Sequence, residues 1–178
     1  MAEKPRLPWS IEGIAPVHDR AAFDCGQPVL NDWLRLYAGQ YERRGLSRTY
    51  VGLRPGETRV LGYYAISTAR VDCEALPTEQ AKGLPRISVP VALLGRLAVD
   101  RSVQGQGLGR HLLFNAFRRI EQISRQIGLR AIEVHVIDDD ARRFYLKHGF
   151  VSLQDDPHHL YLPMLVVRKL GLPPLGPG

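Results

Sequence analysis

The stretch VQGQGLGRHLL, residues 103–113, constrains the fold of this chain more than any other segment. Gly105, Gly107 and Gly109 alternate between an apolar, strand-like run and an apolar pattern with helical spacing. Glycine takes positive φ angles and lets a ligand approach the backbone closely. The unpaired N–H groups at the start of a helix attract anions. The stretch therefore predicts a loop that holds a phosphate or pyrophosphate, with Arg110 adding positive charge.

Three known phosphate-loop patterns can be compared with this stretch. The dinucleotide fingerprint GxGxxG fails, because its third glycine position falls on Arg110, and the GK[ST] of a Walker A loop is absent. The pattern Gln-x-x-Gly-x-Gly fits, as Gln104, Gly107 and Gly109. A plain tight turn into a helix is the alternative, although such a turn needs only one glycine.

The fitting pattern resembles the coenzyme A pyrophosphate loop of the GNAT (GCN5-related) N-acetyltransferases. In that family the strand before the loop splays from its neighbour and binds the pantetheine arm. The resemblance continues in DDDARRFYLKHGF, where Tyr145 matches the family pattern and Asp138 replaces the usual Asn. It implies acetyl-CoA as the cofactor, bound by Leu97, Ala98, Val99, Gln104, Gly105, Gln106, Gly107, Leu108, Gly109, Arg110, Asp138, Ala141 and Phe144.

Hydrophobic periodicity predicts an α/β (α+β) domain with a mixed sheet and helices on both faces. Strands are expected before Pro16, and at 48–53, 59–68, 91–99, 130–137, 151–153 and 160–167. Helices are expected over 28–44 with Gly45 past the end, within 75–85, over 108–127 with Gly128 as the stop, and over 139–149. The resemblance implies the GNAT fold with its splayed strand pair. Residues 1–170 are predicted to form a single domain, and the Pro/Gly-rich tail 171–178 to fray.

The net charge of +6 is carried mainly by arginine. Arginine binds phosphate bidentately, so a basic surface of this kind suits a polyanionic partner. A compositional bias towards arginine is the alternative explanation. No apolar run approaches the roughly 18 residues of a membrane span, and MAEKPRLPWS lacks the apolar core of a signal peptide. We therefore expect a cytoplasmic protein without a membrane partner.

Cysteine and histidine spacing does not indicate a metal site. Cys25 and Cys73 stand alone, without a CxxC motif. The 6 histidines are scattered, and the adjacent pair His158–His159 has no partner at ligand spacing. We expect no bound metal, and two free thiols in a reducing compartment.

Acetyl transfer needs a neutral amine, a stabilised oxyanion and a proton for the leaving thiolate. Backbone N–H groups near Val99 can meet the oxyanion. Tyr145 is the candidate general acid; the alternative is a core aromatic beside Phe144. The strand LLGRLAVD offers no base, because it carries Arg96 inside and Asp100 at its far end, where a loop-capping role is expected. An α-amine, with a pKa of roughly 7.7–8, needs a base less than lysine, at roughly 10.4. The residues therefore favour an α-amine substrate.

A second resemblance covers residues 11–165. FDCGQPVLNDWL, SRTYV, VLGYYAIS and LGRLAVDRSVQGQGLGRHLL are similar to the TacT-like GNAT toxins of type II toxin–antitoxin modules. It implies acetylation of the α-amine of aminoacyl-tRNA, a block of translation, a cognate ribbon-helix-helix antitoxin and a homodimer. The arginines expected to contact tRNA are Arg35, Arg43, Arg44, Arg48, Arg86 and Arg96.

Two other functions remain open at this point. A GNAT enzyme can acetylate a small-molecule amine or a protein N-terminus, although a cationic polyamine would prefer an acidic pocket to this basic chain. A degenerate domain can instead bind coenzyme A or nucleic acid without catalysis. Intact Gly107, Gly109 and Tyr145 weigh against degeneracy.

Overall fold

The computed structural model of the chain describes residues 8–176. The prediction made from the N-terminal sequence falls largely on residues 1–7, which lie outside the described range, as do residues 177–178 of the predicted tail. The strands are β1 (Ser10–Gly13), β2 (Arg48–Leu53), β3 (Gly62–Val71), β4 (Val89–Val99), β5 (Ala131–His135), β6 (Val151–Ser152) and β7 (His159–Pro163). The helices are α1 (Pro28–Asp32), α2 (Ala38–Arg43), α3 (Thr78–Ala81), α4 (Leu108–Ser124), α5 (Asp139–Lys147) and α6 (Met164–Lys169).

Two compact units make up the chain. Unit 1 contains the residues up to Ile66 together with Arg96–Asn115, and unit 2 contains Ser67–Gly95 together with the residues from Ala116 onwards. β3, β4 and α4 contribute residues to both units.

In unit 1 the strands follow the order β1-β2-β3-β4. β1 and β2 are antiparallel, and so are β2 and β3, whose register pairs Gly52 with Gly62. β2 and β3 therefore form an antiparallel hairpin. The buried apolar cluster of this unit consists of Phe23, Trp33, Leu34, Ala38, Val51, Leu53, Val60, Tyr63, Ala65 and Ala98.

The helix predicted over residues 28–44 forms with one irregularity. Pro28 begins α1, where its missing N–H costs nothing. A π-helical turn, Trp33–Tyr37, then joins α1 to α2. Trp33, Leu34 and Ala38 are buried, and the chain leaves the helix at Gly45 with a φ of 68°. Of the residues with helical apolar spacing, Trp33 and Leu34 are thus buried, whereas Tyr37 is exposed.

In unit 2 the strands follow the order β3-β4-β5-β7-β6. β4 and β5 are parallel over three pairs, from Val91 with Ala131 to Leu93 with Glu133, whereas β4 itself runs on to Val99. β5 and β7 are antiparallel. The sheet is thus mixed and its parallel pair is short, as the predicted fold class with a splayed strand pair requires. The buried cluster of this unit consists of Val71, Leu76, Val89, Val91, Ala131, Leu153 and Tyr161.

Several element boundaries differ from the prediction. β3 covers Gly62–Val71 instead of residues 59–68. α4 ends at Ser124 instead of continuing to Gly128, because Arg125 N–H bonds the carbonyl three residues back and closes the last turn; Ile127 is exposed. Residues 164–167, predicted as strand, belong to α6. Pro163 has no N–H for the sheet ladder, and Met164 and Val167 bury one face of a helix instead.

The described part of the tail, residues 171–176, has no regular secondary structure. It nevertheless contacts α4, since the Gln122 amide donates to the Leu175 carbonyl at 3.4 Å. Among residues 8–176, no helix combines the length and the apolar character that a membrane crossing would need.

Candidate functional site

The glycine loop lies exposed in unit 1. Gly105 has a φ of 77° and Gly107 a φ of 88°, a conformation that strongly favours glycine. A Cβ built on either residue would find no other atom within 4 Å. The loop therefore needs glycine for its backbone shape, and the space in front of it is open to a ligand.

α4 begins directly after this loop, at the buried residue Leu108. His111 N–H is the first to bond backwards along the helix, to the Gly107 carbonyl at 3.1 Å. The N–H groups of the preceding turn have no acceptor within the helix, and the helix dipole is positive there. The Arg110 guanidinium lies over the Phe114 ring at 5.0 Å and remains exposed. Open backbone, free N–H groups and a nearby cation together fit the pyrophosphate of coenzyme A.

Gln104 holds the loop against the strand that precedes it. Its side-chain amide donates to the Val99 carbonyl at 2.9 Å and to the Cys25 carbonyl at 3.1 Å. This glutamine thus fixes the shape of the loop through two backbone contacts.

Asp100 caps the turn between β4 and the loop, as predicted. Its Oδ1 accepts from Ser102 N–H at 2.9 Å and from Ser102 Oγ at 2.6 Å, and its Oδ2 accepts from Asp24 N–H at 2.9 Å. Burial of Asp100 opposes its charged form. The bonds from Ser102 and Asp24 N–H and the charge of Arg59 outweigh that effect, so the pKa of Asp100 is lowered. This carboxylate is committed to the turn and is not a free catalytic base.

Sequence reasoning missed Asp24 and Asn31, which anchor the same turn from the N-terminal segment. Asp24 Oδ1 accepts from Gly26 N–H and from the Asn31 amide, each at 2.9 Å, and Asn31 Oδ1 accepts from Cys25 N–H at 2.9 Å. The bonds from Gly26 and Asn31 lower the pKa of Asp24. The sequence DCG, with Asp two residues before Gly, is a local signal for such a turn.

Sequence reasoning also missed two strand glycines, against which the first turns of α4 pack. A Cβ on Gly62 would lie 2.9 Å from a Leu112 methyl, 3.0 Å from a Leu108 methyl and 3.1 Å from the Ala98 carbonyl. A Cβ on Gly52 would lie 3.1 Å from Leu108. The first turns of α4 approach the sheet at this glycine pair, which positions the loop. An isolated glycine within a strand signals such an approach.

The predicted pantetheine strand forms the end of β4. Ala98 is buried, while Leu97 and Val99 are half-buried. Arg96, on the same strand, stacks its guanidinium over the Trp33 ring at 4.3 Å. Burial lowers the pKa of Arg96.

The other arginines expected to contact tRNA differ in their surroundings. Arg43 and Arg44 are exposed and make no ion pair within residues 8–176. Arg48 is engaged with Glu42 Oε1 at 2.9 Å. Arg35 lies 3.6 Å from Asp32. Arg86 is exposed in unit 2.

α5, in unit 2, brings together the other predicted site residues. Asp138 caps it by accepting from Ala141 N–H at 2.8 Å, a favourable role for aspartate before a helix. Phe144 is half-buried and packs edge-on against Tyr145 at 5.2 Å. Tyr145 is buried, also touching Phe150 at 5.2 Å. Burial raises the pKa of Tyr145, so this phenol keeps its proton at physiological pH.

Comparison with known proteins agrees with this geometry. The family described as "Acetyltransferase (GNAT) domain" matches residues 57–152. A tRNA-acetylating toxin of Mycobacterium tuberculosis is 43% identical over 157 residues, which are 88% of this chain and 93% of that protein.

Two solved structures share the fold over nearly the whole chain. AtaT complexed with acetyl-methionyl-tRNAfMet superposes with a TM-score of 0.86 at 31% identity, covering 92% of this chain and 99% of the other. A Tyr→Phe mutant of AtaT bound to the C-terminus of the antitoxin AtaR and acetyl-CoA superposes with a TM-score of 0.79 at 27% identity, covering 93% and 99%.

Proposed function

Because the chain belongs to the GNAT acetyltransferase family, we propose that it transfers the acetyl group of acetyl-CoA to the α-amine of aminoacyl-tRNA. Such a product cannot donate its amine to a peptide bond, so the protein acts as a toxin that blocks translation. The observation that carries this proposal is the 43% identity with a tRNA-acetylating toxin over 88% of the chain. The AtaT complex with acetyl-methionyl-tRNAfMet supports it independently.

Acetyl-CoA is held by two segments of unit 1. The pyrophosphate binds the N–H groups of the loop and of the first turn of α4, residues 104–110. The pantetheine arm runs along the backbone of Leu97–Val99, and the N–H groups near Val99 receive the oxyanion. Asp138, Ala141 and Phe144, in unit 2, are the remaining acetyl-CoA contacts that the family resemblance implies. The open glycine backbone and the unpaired helix N-terminus support this assignment.

Tyr145 donates the proton to the departing thiolate. The neutral amine attacks the thioester carbonyl and a C–N bond forms. The C–S bond then breaks, the sulfur takes the phenolic proton, and water carries the proton released by the nitrogen back to the phenolate. The raised pKa of Tyr145 keeps this proton in place. The Tyr→Phe mutant of AtaT with acetyl-CoA is consistent with a special role for a tyrosine. Since Asp100 is committed to its turn, the amine loses its own proton to water, which suits an acidic α-amine.

The partners follow from the same family. We infer a cognate ribbon-helix-helix antitoxin, a homodimer, and a cytoplasmic site of action. Residues 1–170 act as one catalytic domain and 171–178 as its tail. The AtaT complex with the C-terminus of AtaR supports the antitoxin. The exposed pair Arg43 and Arg44 is the strongest of the tRNA-contact candidates, which also include Arg35, Arg48, Arg86 and Arg96.

The test uses labelled acetyl-CoA, the purified protein and bulk tRNA, aminoacylated in one reaction and stripped in the other. Label on charged tRNA alone supports the proposal, and sequencing the labelled species identifies the preferred tRNA. No label in either reaction, together with normal acetyl-CoA binding, overturns it in favour of a small-molecule or protein amine. No acetyl-CoA binding would point to a degenerate module.

The substitution Tyr145→Phe tests the proton donor in the same assay. We expect kcat to fall by about 10²–10⁴ while KM for acetyl-CoA stays unchanged, because the ring packing is preserved. A general acid works only while protonated, and burial raises the pKa of Tyr145. The wild-type rate should therefore rise with pH as the amine deprotonates, with no decline up to about pH 9. Tyr161→Phe, at another buried tyrosine of unit 2, is the control. Wild-type turnover by Tyr145→Phe would contradict the assignment.

A further inference from the structure

Three polar side chains of unit 2 converge between β5 and β7. Glu133 Oε1 lies 2.7 Å from His135 Nε2 and 2.5 Å from His159 Nε2. One atom from each of the three residues lies within 4.8 Å of the other two. The two histidines are cross-strand partners, and their rings stack with centroids 4.1 Å apart. None of the three has a role in the proposed acetyl transfer.

The cluster is largely buried, and one of its polar atoms has no partner. Glu133 is 4% exposed and His159 is 7% exposed. Glu133 Oε2 is buried and has no hydrogen-bond partner within residues 8–176. His159 Nδ1 lies 2.8 Å from Asp155 Oδ2. Both nitrogens of the His159 ring thus face carboxylate oxygens.

A metal ion fits the convergence of these three side chains and gives the buried Glu133 carboxylate a partner. It binds Nε2 of both histidines and the Glu133 carboxylate, while Nδ1 of His159 keeps its contact with Asp155. Two histidines and one carboxylate are a common zinc ligand set, and a carboxylate behind a ligating histidine is its usual support. The His135 side chain is 59% exposed, so water can reach the remaining coordination position.

We propose that Glu133, His135 and His159 bind one divalent transition-metal ion of the zinc class, with Asp155 orienting His159. The ion joins β5 to β7 and stabilises the folded chain, since metal that binds only the folded state shifts the folding equilibrium by mass action. The spacing of these residues along the chain hides the site. Glu133 and His135 alternate on one strand, and strand pairing alone brings His159 to them.

The test titrates ZnCl₂ into the full-length protein, freed of any affinity tag and stripped with chelator. Bound zinc is measured by equilibrium dialysis with elemental analysis, and the thermal midpoint Tm is followed in parallel. We expect one saturable equivalent of zinc and a Tm that rises with zinc concentration. Asp155→Asn should weaken zinc affinity by about 10–100-fold while leaving the ligands in place.

Exposed His135 provides the decisive variant, because His135→Ala should fold without metal. Its affinity for zinc should fall by at least about 10–100-fold, the range expected for Asp155→Asn, and zinc should no longer raise its Tm. His158→Ala is the matched control: this neighbouring histidine contacts Asp139 at 3.0 Å instead, and the variant should bind zinc as the wild type does. No saturable binding by the wild type, or unchanged binding by His135→Ala, overturns the site.

Discussion

At the scale of single residues, backbone shape explains the glycine loop better than crowding does. Gly105 and Gly107 have positive φ angles, yet a side chain at either position would meet open space. A substitution there consequently acts in two ways: it strains the backbone, and it places atoms where a ligand belongs. A second positive-φ glycine in unit 1 separates these effects, because Gly56, in the turn between β2 and β3, has a φ of 81° and equally open surroundings.

Gly107→Asp should abolish acetyl-CoA binding. Its carboxylate would stand against the pyrophosphate, and repulsion between such charges at close range lowers affinity by more than about 100-fold. Gly56→Asp introduces the same strain and the same charge away from the loop, and should leave the affinity unchanged. Both are measured by calorimetric titration of acetyl-CoA. Retained affinity in Gly107→Asp would refute the loop assignment.

Single residues also show where sequence reasoning ends. The capping role of Asp100 follows from its place between an apolar strand and a loop, and it is confirmed. The contact of Asp100 with Asp24 is not predictable, because it joins residues 76 positions apart. Likewise, the cluster of Glu133, His135 and His159 exists only through the register of β5 with β7.

At the scale of elements, the position of the loop depends on how α4 meets the sheet. Gly52 and Gly62 face each other across β2 and β3, and the Leu108 and Leu112 methyls lie against them. The sequence indicates the helix through its apolar stripe, of which Leu108, Leu112, Leu113, Phe117 and Ile120 are buried. The exact position of α4 on the sheet depends on its close approach to the two glycines, which the hydrophobic periodicity does not encode.

Gly62→Ala should disturb the packing of α4 against β2 and β3. The new Cβ would lie 2.9 Å from Leu112 and 3.1 Å from the Ala98 carbonyl, which is backbone and cannot move aside easily. Overpacking of this kind costs about 1–3 kcal/mol. We expect a lower free energy of unfolding in urea and, because the start of α4 shifts, a weaker affinity for acetyl-CoA.

Gly13→Ala is the matched control for Gly62→Ala. Gly13 also lies in a strand, β1, but a Cβ there meets nothing within 4 Å. Its stability should be unchanged or slightly raised, since alanine reduces the freedom of the unfolded chain. Equal free energies of unfolding in the two variants would show that the contact between Gly62 and α4 tolerates a side chain.

The predicted helices and strands are wrong where a local sequence signal competes with tertiary contacts. The apolar run 160–167 is typical of one strand, but Pro163 ends the ladder and α6 begins at once. The π-helical turn Trp33–Tyr37 has no sequence signature, because its extra residue is absorbed within a helix. Strand–helix alternation, by contrast, suffices to predict the mixed sheet, since only helices or long connections can join its parallel strands.

At the scale of the whole molecule, the net charge of +6 leaves two explanations for the proposed affinity towards tRNA. A general positive field attracts any polyanion, whereas a docking surface uses particular arginines. Arg43 and Arg44 suit the second explanation, because they are adjacent, exposed and without an ion-pair partner in the described range. Arg125 and Lys169 are also exposed, lie in unit 2, and have no expected role in tRNA binding.

The double variant Arg43→Ala/Arg44→Ala distinguishes the two explanations through salt dependence. Log Kd for charged tRNA should rise linearly with the logarithm of the salt concentration. Each phosphate that the protein neutralises adds roughly 0.7–0.9 to the slope. If both arginines contact phosphates, removing them should lower the slope by about 1.5. Arg125→Ala/Lys169→Ala removes the same charge elsewhere and should leave the slope unchanged, because its screened charges make no phosphate contact. An equal fall of the slope in the two variants would assign tRNA binding to net charge alone. An unchanged slope in both variants would exclude Arg43 and Arg44 from the tRNA interface.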